Sequence, residues 1–181
     1  MNNGKVVSSY NGPVKISLLT PTLGAFTSKV PENLVNGELN AANVIFRAST
    51  VSGEAQILVE VPGFASEIVK LKMLAGKPSQ IQLSSDSDFL ATNTQKSVVV
   101  KAQLLDQYGN LVETNGTKVN FKTTTATEDL VSFSAKTAVT LNGEAAVSIF
   151  AKDSSGTVNI SAEGEGLQAG TLSLKISKHI D

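Results

Sequence analysis

Two acidic residues in a polar loop are the side chains best suited to binding a metal ion. Asp86 and Asp88 stand two positions apart in "SSDSDF". Carboxylate oxygens suit calcium, which takes about six to eight oxygen ligands, but the chain contains no EF-hand loop to supply a full set. The sequence therefore makes Asp86 and Asp88 candidate calcium ligands, with solvated loop carboxylates as the alternative reading. It predicts no other cofactor.

Nucleophilic catalysis lacks its usual base in this chain. His179 is the only histidine and stands close to the last residue, so a Ser-His-Asp arrangement would place its base on a tail. The absence of cysteine removes disulfides, thiolate metal sites and cysteine nucleophiles together. The sequence thus predicts no catalytic residues and no enzyme activity.

Charge and hydropathy exclude two classes of partner. The formal net charge is -1 with a pI near 5.9, which offers no basic surface for nucleic acid. No apolar run reaches the length of about 18 residues that a membrane-spanning helix needs. We therefore expect neither nucleic-acid binding nor membrane insertion.

A period of two residues runs through the second half of the chain, as in strands that bury one face. The apolar members of the clearest runs are Val98, Val100, Ala102 and Leu104, then Ala145, Val147 and Ile149, then Val158, Ile160 and Ala162, and finally Leu172, Leu174 and Ile176. Turn signals rich in Gly and Asn separate these runs. No apolar stripe of helical spacing persists for three turns, so the sequence predicts an all-β chain.

An internal repeat of roughly 100 residues organises these strands. Four pairs of stretches recur at nearly constant displacement, 103 to 106 residues apart. They are Gly4 of "NNGKVV" with Gly109 of "LDQYGNLV", Val14 with Val119, "NGE" at 36–38 with "NGE" at 142–144, and "SGEAQILVEVPGF" at 52–64 with "SGTVNISAEGEGL" at 155–167. Two copies of one domain are therefore expected to follow each other, at 1–76 and 77–181.

The two predicted copies differ in completeness. Residues 77–181 hold a whole copy, whereas residues 1–76 begin after the point that corresponds to "SQIQLSSDSDFLATNTQKSVVVKAQLLD" at 79–106. The first domain is therefore predicted to lack its first two strands, which leaves sheet edges open. We expect it to be less stable than residues 77–178 or to be completed by a neighbour.

Three quoted stretches carry a family resemblance: "VVVKAQLLDQYGNLV" at 98–112, "TKVNFKT" at 117–123 and "LNGEAAVSIFAKDSSGTVNISAEGEG" at 141–166. Their order resembles the bacterial immunoglobulin-like repeats of invasin- and intimin-type adhesins, S-layer proteins and other multidomain cell-surface proteins. The resemblance covers 77–178 and, more weakly, 2–74. It implies two tandem immunoglobulin-like β-sandwiches, the first lacking its N-terminal strands.

The residues that match the family pattern have structural roles rather than chemical ones. Gly109 and Asn110 are expected to supply a turn, and Val119 and Phe121 to fill a core. Gly143 and Gly156 are expected to open strands. None of them carries chemistry, so the resemblance implies a fold and an extracellular setting more than an activity.

The resemblance implies a structural segment of a bacterial cell-surface protein, as an S-layer lattice unit or as a stalk or spacer. Its expected location is extracellular, at the cell surface or cell wall. Its expected partners are neighbouring domains of the same parent, with self-assembly left open. The alternatives are an adhesin-type module that binds a host protein or glycan through end loops, and an accessory domain of a secreted enzyme or phage structural protein.

Overall fold

Residues 7–94 and 96–178 are described by the structure, a computed structural model. They form strands, turns and two 3-10 helices, Pro21–Leu23 and Thr125–Thr127, and contain no α-helix. The prediction of an all-β chain is thus confirmed. The chain divides into two compact units, Met1–Leu74 (unit 1) and Ala75–Asp181 (unit 2). His179 and residues 2–6 of the first predicted turn motif lie outside the described residues.

Unit 1 contains short strands in three small sheets. The strands are β1 (Gly12–Pro13), β2 (Lys15–Leu18), β3 (Gly24–Phe26), β4 (Asn33–Leu34), β5 (Phe46–Ala48), β6 (Gly53–Glu60) and β7 (Glu67–Met73). Their antiparallel pairings give the orders β2-β6-β7, β3-β5 and β1-β4. The buried apolar residues among those described are Val14, Leu23, Ala55 and Ile57.

Unit 2 is a sandwich of two larger sheets. Its strands are β8 (Gln80–Ser85), β9 (Phe89–Ala91), β10 (Ser97–Leu105), β11 (Lys118–Thr123), β12 (Val131–Phe133), β13 (Thr137–Val139), β14 (Glu144–Ala151), β15 (Gly156–Glu163) and β16 (Gly170–Ser177). One sheet has the order β12-β14-β10-β8 and the other β13-β11-β15-β16-β9. Neighbouring strands are antiparallel except β9 and β16, which are parallel.

The predicted alternation along the strands of unit 2 is confirmed. In β10, Val98, Val100, Ala102 and Leu104 are all buried, whereas Val99 faces outward. Side chains from both sheets join in one apolar cluster, including Phe121 of β11, Ile149 of β14 and Ile160 of β15. Each fully buried side chain of this size contributes about 1.5–3 kcal/mol, so the layer between the sheets is the main source of stability.

The described residues of unit 1 form fewer strands than unit 2. Three strands of unit 2, β8, β9 and β10, have no counterpart among the described residues of unit 1. The sequence pattern predicted two. The difference is β9, which is only three residues long and joins the opposite sheet from β8 and β10.

Candidate functional site

The most highly organised polar group of unit 2 is the carboxylate of Asp106, which follows β10. Asp106 is 1% exposed. Its Oδ1 accepts hydrogen bonds from the backbone N–H groups of Tyr108 (2.8 Å) and Asn110 (2.9 Å). Its Oδ2 accepts from the N–H of Gly76 (2.8 Å) and from Asn110 Nδ2 (2.9 Å). A single carboxylate therefore holds together the predicted turn and the start of unit 2.

Gly109 and Asn110 lie in this turn. The N–H of Gly109 donates to the carbonyl of Asp106 (3.1 Å), and the N–H of Asp106 donates to the carbonyl of Asn110 (2.9 Å). Gly109 has φ of +86°, a conformation that residues with a Cβ rarely adopt. The turn thus needs glycine at this position and a carboxylate three residues earlier.

Hydrogen bonding makes Asp106 a firmly ionised group. The Asn110 side-chain amide, together with the backbone N–H groups of Gly76, Asn110 and Tyr108, holds the pKa of Asp106 well below its usual range, against the opposing effect of burial. A general base must reach a proton on its substrate. Because Asp106 is buried and its oxygens are occupied by donors of the turn, its role is structural.

The segment that enters unit 2 is bound to the same turn by three further contacts. The N–H of Ser79 donates to the carbonyl of Leu105 (2.8 Å). The Ser79 hydroxyl also donates to that carbonyl (3.4 Å), and Gln80 Nε2 donates to the carbonyl of Asp106 (3.2 Å). Residues 76–80 are therefore ordered by the turn after β10 before they continue as β8.

A second organised site in unit 2 joins two Asn-Gly turns. Asn142 and Gly143 have φ of 50° and 79° and precede β14. The N–H of Asn142 donates to Asn115 Oδ1 (2.6 Å), and that of Gly143 donates to the carbonyl of Thr114 (2.9 Å). Buried Thr140 donates its hydroxyl to the same Thr114 carbonyl (3.0 Å). The Asn115 side chain thus connects one turn to the next.

Unit 1 repeats this connection between turns. Asn36 and Gly37 have φ of 54° and 75°. The N–H of Asn36 donates to Asn11 Oδ1 (2.9 Å), and that of Gly37 donates to the carbonyl of Tyr10 (2.8 Å). The pairs of Asn-Gly dipeptides were the sequence signal for this motif, but the bond between them is a tertiary contact. Its presence in both units supports a common origin for the two copies.

The other predicted structural residues occupy strand and core positions. Val119 and Phe121 lie in β11 with exposed fractions of 0% and 2%. Gly156 is the first residue of β15, beside Leu130. These positions are close to the apolar layer and offer no polar group to a ligand.

The structure places Asp86 and Asp88 in an exposed loop between β8 and β9. Asp86 Oδ1 accepts a hydrogen bond from the N–H of Val99 (2.9 Å), and the carbonyl of Asp88 accepts one from the N–H of Lys175 (2.9 Å). Across residues 7–94 and 96–178, no three His, Cys, Asp or Glu residues form a group that could hold a metal ion. Calcium binding by this pair stays a prediction.

Unit 1 contains an open cleft that could accept a ligand. This cleft of about 950 Å³ is lined by Lys15, Glu32, Glu60 and Phe64, among others. Lys15 Nζ and Glu60 pair at 3.3 Å across neighbouring strands, with side chains that are 75% and 43% exposed. A solvent-exposed pair of this kind is weakly stabilising, and the cleft shows no convergent set of catalytic groups.

The two sandwich sheets, their layer of alternating apolar residues and the polar turns define an immunoglobulin-like all-β protein. Residues 81–173 match the family model for the glycoside hydrolase family 2 C-terminal domain 5. The match covers just over half of the chain, which therefore belongs to this family. A comparison with curated proteins gave no match.

Similar solved structures agree on the fold. A glycosyl hydrolase family 2 member from Bacteroides cellulosilyticus is 17% identical with a TM-score of 0.56, over 91% of this chain and 21% of its own. A β-glycosidase from Bacteroides vulgatus is 9% identical with a TM-score of 0.54, again over 91% and 21%. The D00-D0 domain of intimin is 13% identical with a TM-score of 0.50, over 92% and 85%. The chain thus spans about a fifth of the length of the two hydrolases.

Among the residues that the structure describes, none belongs to a helix long and apolar enough to cross a membrane.

Proposed function

We propose that this chain is a non-catalytic structural segment of a larger bacterial protein that works outside the cell. The observation that carries the proposal is the use of the buried polar groups in unit 2. Of the three buried polar side chains described in unit 2, those of Asp106 and Thr140 bind the backbone of turns, whereas the Thr92 hydroxyl has no hydrogen-bond partner. The hydrogen bonds of Asp106 and Thr140 therefore stabilise the turns of the unit, as expected of a spacer or supporting domain.

Two kinds of parent protein agree with this role. A stalk or S-layer segment at the cell surface is favoured by the likeness to the D00-D0 domain of intimin, most of whose length is matched. An accessory domain of a secreted glycoside hydrolase is favoured by the family match over residues 81–173. In both settings the segment supports or separates other domains of its parent.

Recognition of a host protein or glycan through end loops is less well supported. Residues 124–139, which include β12 and β13, contain Phe133 as their one aromatic residue. Phe133 is partly buried and packs against the apolar cluster of unit 2. The ring is therefore part of the core and does not form a stacking platform.

Light scattering of the 181-residue chain over a concentration series, in calcium and in EDTA, tests the structural role. A monomer under every condition supports a stalk, spacer or accessory domain, whereas growth into large assemblies supports a lattice unit. If mass depends on calcium, the D86N/D88N double variant should abolish the effect, and D153N, in another exposed loop, should not. Saturable hydrolysis of aryl glycosides by the purified chain would contradict the proposal.

The choice between parents is tested in the full-length protein that carries this segment. If the segment is an accessory domain, the parent hydrolyses aryl glycosides. Removal of residues 77–178 should then lower the inactivation temperature of the parent and leave its kcat nearly unchanged. If it is a stalk or lattice segment, the parent has no such activity.

A further inference from the structure

The strands of unit 1 reproduce the last six strands of unit 2, pair by pair. β3 and β5 align Phe26 with Phe46, as β12 and β14 align Phe133 with Ile149. Gly53, the first residue of β6, lies opposite Met73 at the end of β7, as Gly156, the first residue of β15, lies opposite Ile176 near the end of β16. β1 with β4 corresponds to β11 with β13, and β2 with β6 corresponds to β11 with β15, so the two short strands β1 and β2 together are the counterpart of β11. Unit 1 is therefore the unit 2 sandwich without β8, β9 and β10.

Unit 2 shows what the three strands contribute. β10 pairs with β14 from Ser97 to Gln103, and β8 covers the far edge of β10. β9 runs parallel to the end of β16, at Lys175 to Ser177. In unit 1 the corresponding edges are the free side of β5 and the last residues of β7, near Met73. Neither edge has a strand partner among the described residues.

The apolar residues beside these edges are exposed more than their counterparts. Leu71 and Met73 of β7 are partly buried, whereas Leu174 and Ile176 of β16 are 1% and 2% exposed. Leu74, directly after β7, is 76% exposed. An apolar surface of this kind next to free backbone groups is suited to the addition of a strand.

The length of β5 is a second sign of the missing partner. β5 has three residues, whereas its counterpart β14 has eight and pairs with β10 along most of them. Residues 41–45 of unit 1, ahead of β5, form a turn and irregular chain, and Ile45 is 59% exposed. Ile45 is bound on one side by Thr27 and Ser28, and a strand beside β5 would give this stretch a partner on its other side.

We propose that unit 1 is completed by a strand segment of the β8–β10 type, supplied by polypeptide N-terminal to it in the same protein. The segment carries a long strand with alternate apolar residues, antiparallel to β5, and a short strand parallel to the end of β7. A second copy of this chain is a poor donor, because its own segment of this type, Gln80–Leu105, already forms the core of unit 2. The inference is independent of the proposed parent, since it concerns strand pairing inside unit 1.

The test appends a copy of residues 77–106 directly ahead of Asn2 in the 181-residue chain. This places the appended Asp106 where Met1 stands, 105 residues before its original, and so preserves the register of the repeat. Hydrogen exchange is followed by mass spectrometry in β5 and β7. β14 and β16 serve as internal references that show whether unit 2 remains folded.

The proposal predicts that exchange in β5 and β7 slows at least about tenfold in the extended chain. A control carries V98D, V100D and L104D in the appended copy only, and its β5 and β7 should exchange as in the unmodified chain. Unchanged exchange with the intact copy, or equal slowing with the control copy, would overturn the proposal. So would concentration-dependent protection of β5 and β7 in the unmodified chain, because that result would make a second copy the donor.

Discussion

Two leucines at equivalent positions give a matched test of how complete the two units are. Leu174 lies in β16 opposite Val158, and Leu71 lies in β7 opposite Ala55, with 103 residues between the two. Leu174 is 1% exposed, whereas Leu71 is only partly buried. Because both substitutions are Leu to Ala, the transfer free energy of the removed atoms is the same. The difference between the two losses in free energy of unfolding therefore reports how completely each leucine is packed.

Removing a fully buried leucine costs about 2–5 kcal/mol, through lost burial and the cavity left behind. We expect Leu174→Ala to reduce the free energy of unfolding of unit 2 by about 3 kcal/mol, which lowers its Tm by roughly 10–20 °C. Leu71→Ala removes less buried surface and leaves a site open to solvent, so unit 1 should lose about 1 kcal/mol.

Differential scanning calorimetry measures both effects, with hydrogen exchange assigning each transition to a unit. Each variant also serves as the control for the other, since the unsubstituted unit should keep its Tm. Equal losses for Leu71→Ala and Leu174→Ala would refute the reasoning, because they would show that the core of unit 1 is as complete as that of unit 2.

Three further predictions concern the turns of unit 2. Asp106→Asn replaces one acceptor oxygen with a donor facing N–H groups, so the Tm of unit 2 should fall by at least about 5 °C by calorimetry, whereas Asp86→Asn in an exposed loop should change it little. Because the pKa of Asp106 is lowered in the folded protein, its contribution to stability is fully present above the unfolded-state pKa of about 3.9 and is lost as pH falls below that value. Urea unfolding between pH 5 and 2 should therefore show that the free energy of unfolding declines less steeply in Asp106→Asn than in the unsubstituted chain. In the same urea assay, Gly143→Ala should reduce the free energy of unfolding by at least about 2 kcal/mol and Gly109→Ala by about 1 kcal/mol. Both positions require positive φ, but only at Gly143 would the new Cβ overlap the Val112 carbonyl. Equal losses would contradict the overlap.

The strands of unit 2 could be predicted because one face of each strand is buried. Alternation in β10, β14, β15 and β16 follows directly from that burial. The short strand β9 could not be read in this way, because three residues are too few to show a period. Its parallel partner β16 is also far away in the sequence.

The role of Asp106 was missed for a related reason. The sequence showed an acid at the end of an apolar run, with Gly109 and Asn110 after it. Burial of its charge depends on donors that include the N–H of Gly76, 30 residues earlier. A backbone donor has no sequence signature, so the pattern identified the turn but not the group that organises it.

The reduced length of β5 arises from both local and tertiary causes. The displacement of the repeat falls from 106 residues at Glu38 to 103 at Ser52, so unit 1 has three extra residues in between. These residues fall where β14 begins to pair with β10 in unit 2. Without that partner among the described residues, unit 1 forms a strand only from Phe46 to Ala48.

Hydrogen exchange of the unmodified 181-residue chain tests the central claim most directly, by comparing β7 with its counterpart β16. A complete sandwich in unit 2 and an open one in unit 1 predict that the amides of β16 exchange at least about 100-fold more slowly than those of β7, which corresponds to roughly 3 kcal/mol. Equal protection of the two strands in a monomeric sample would contradict the account.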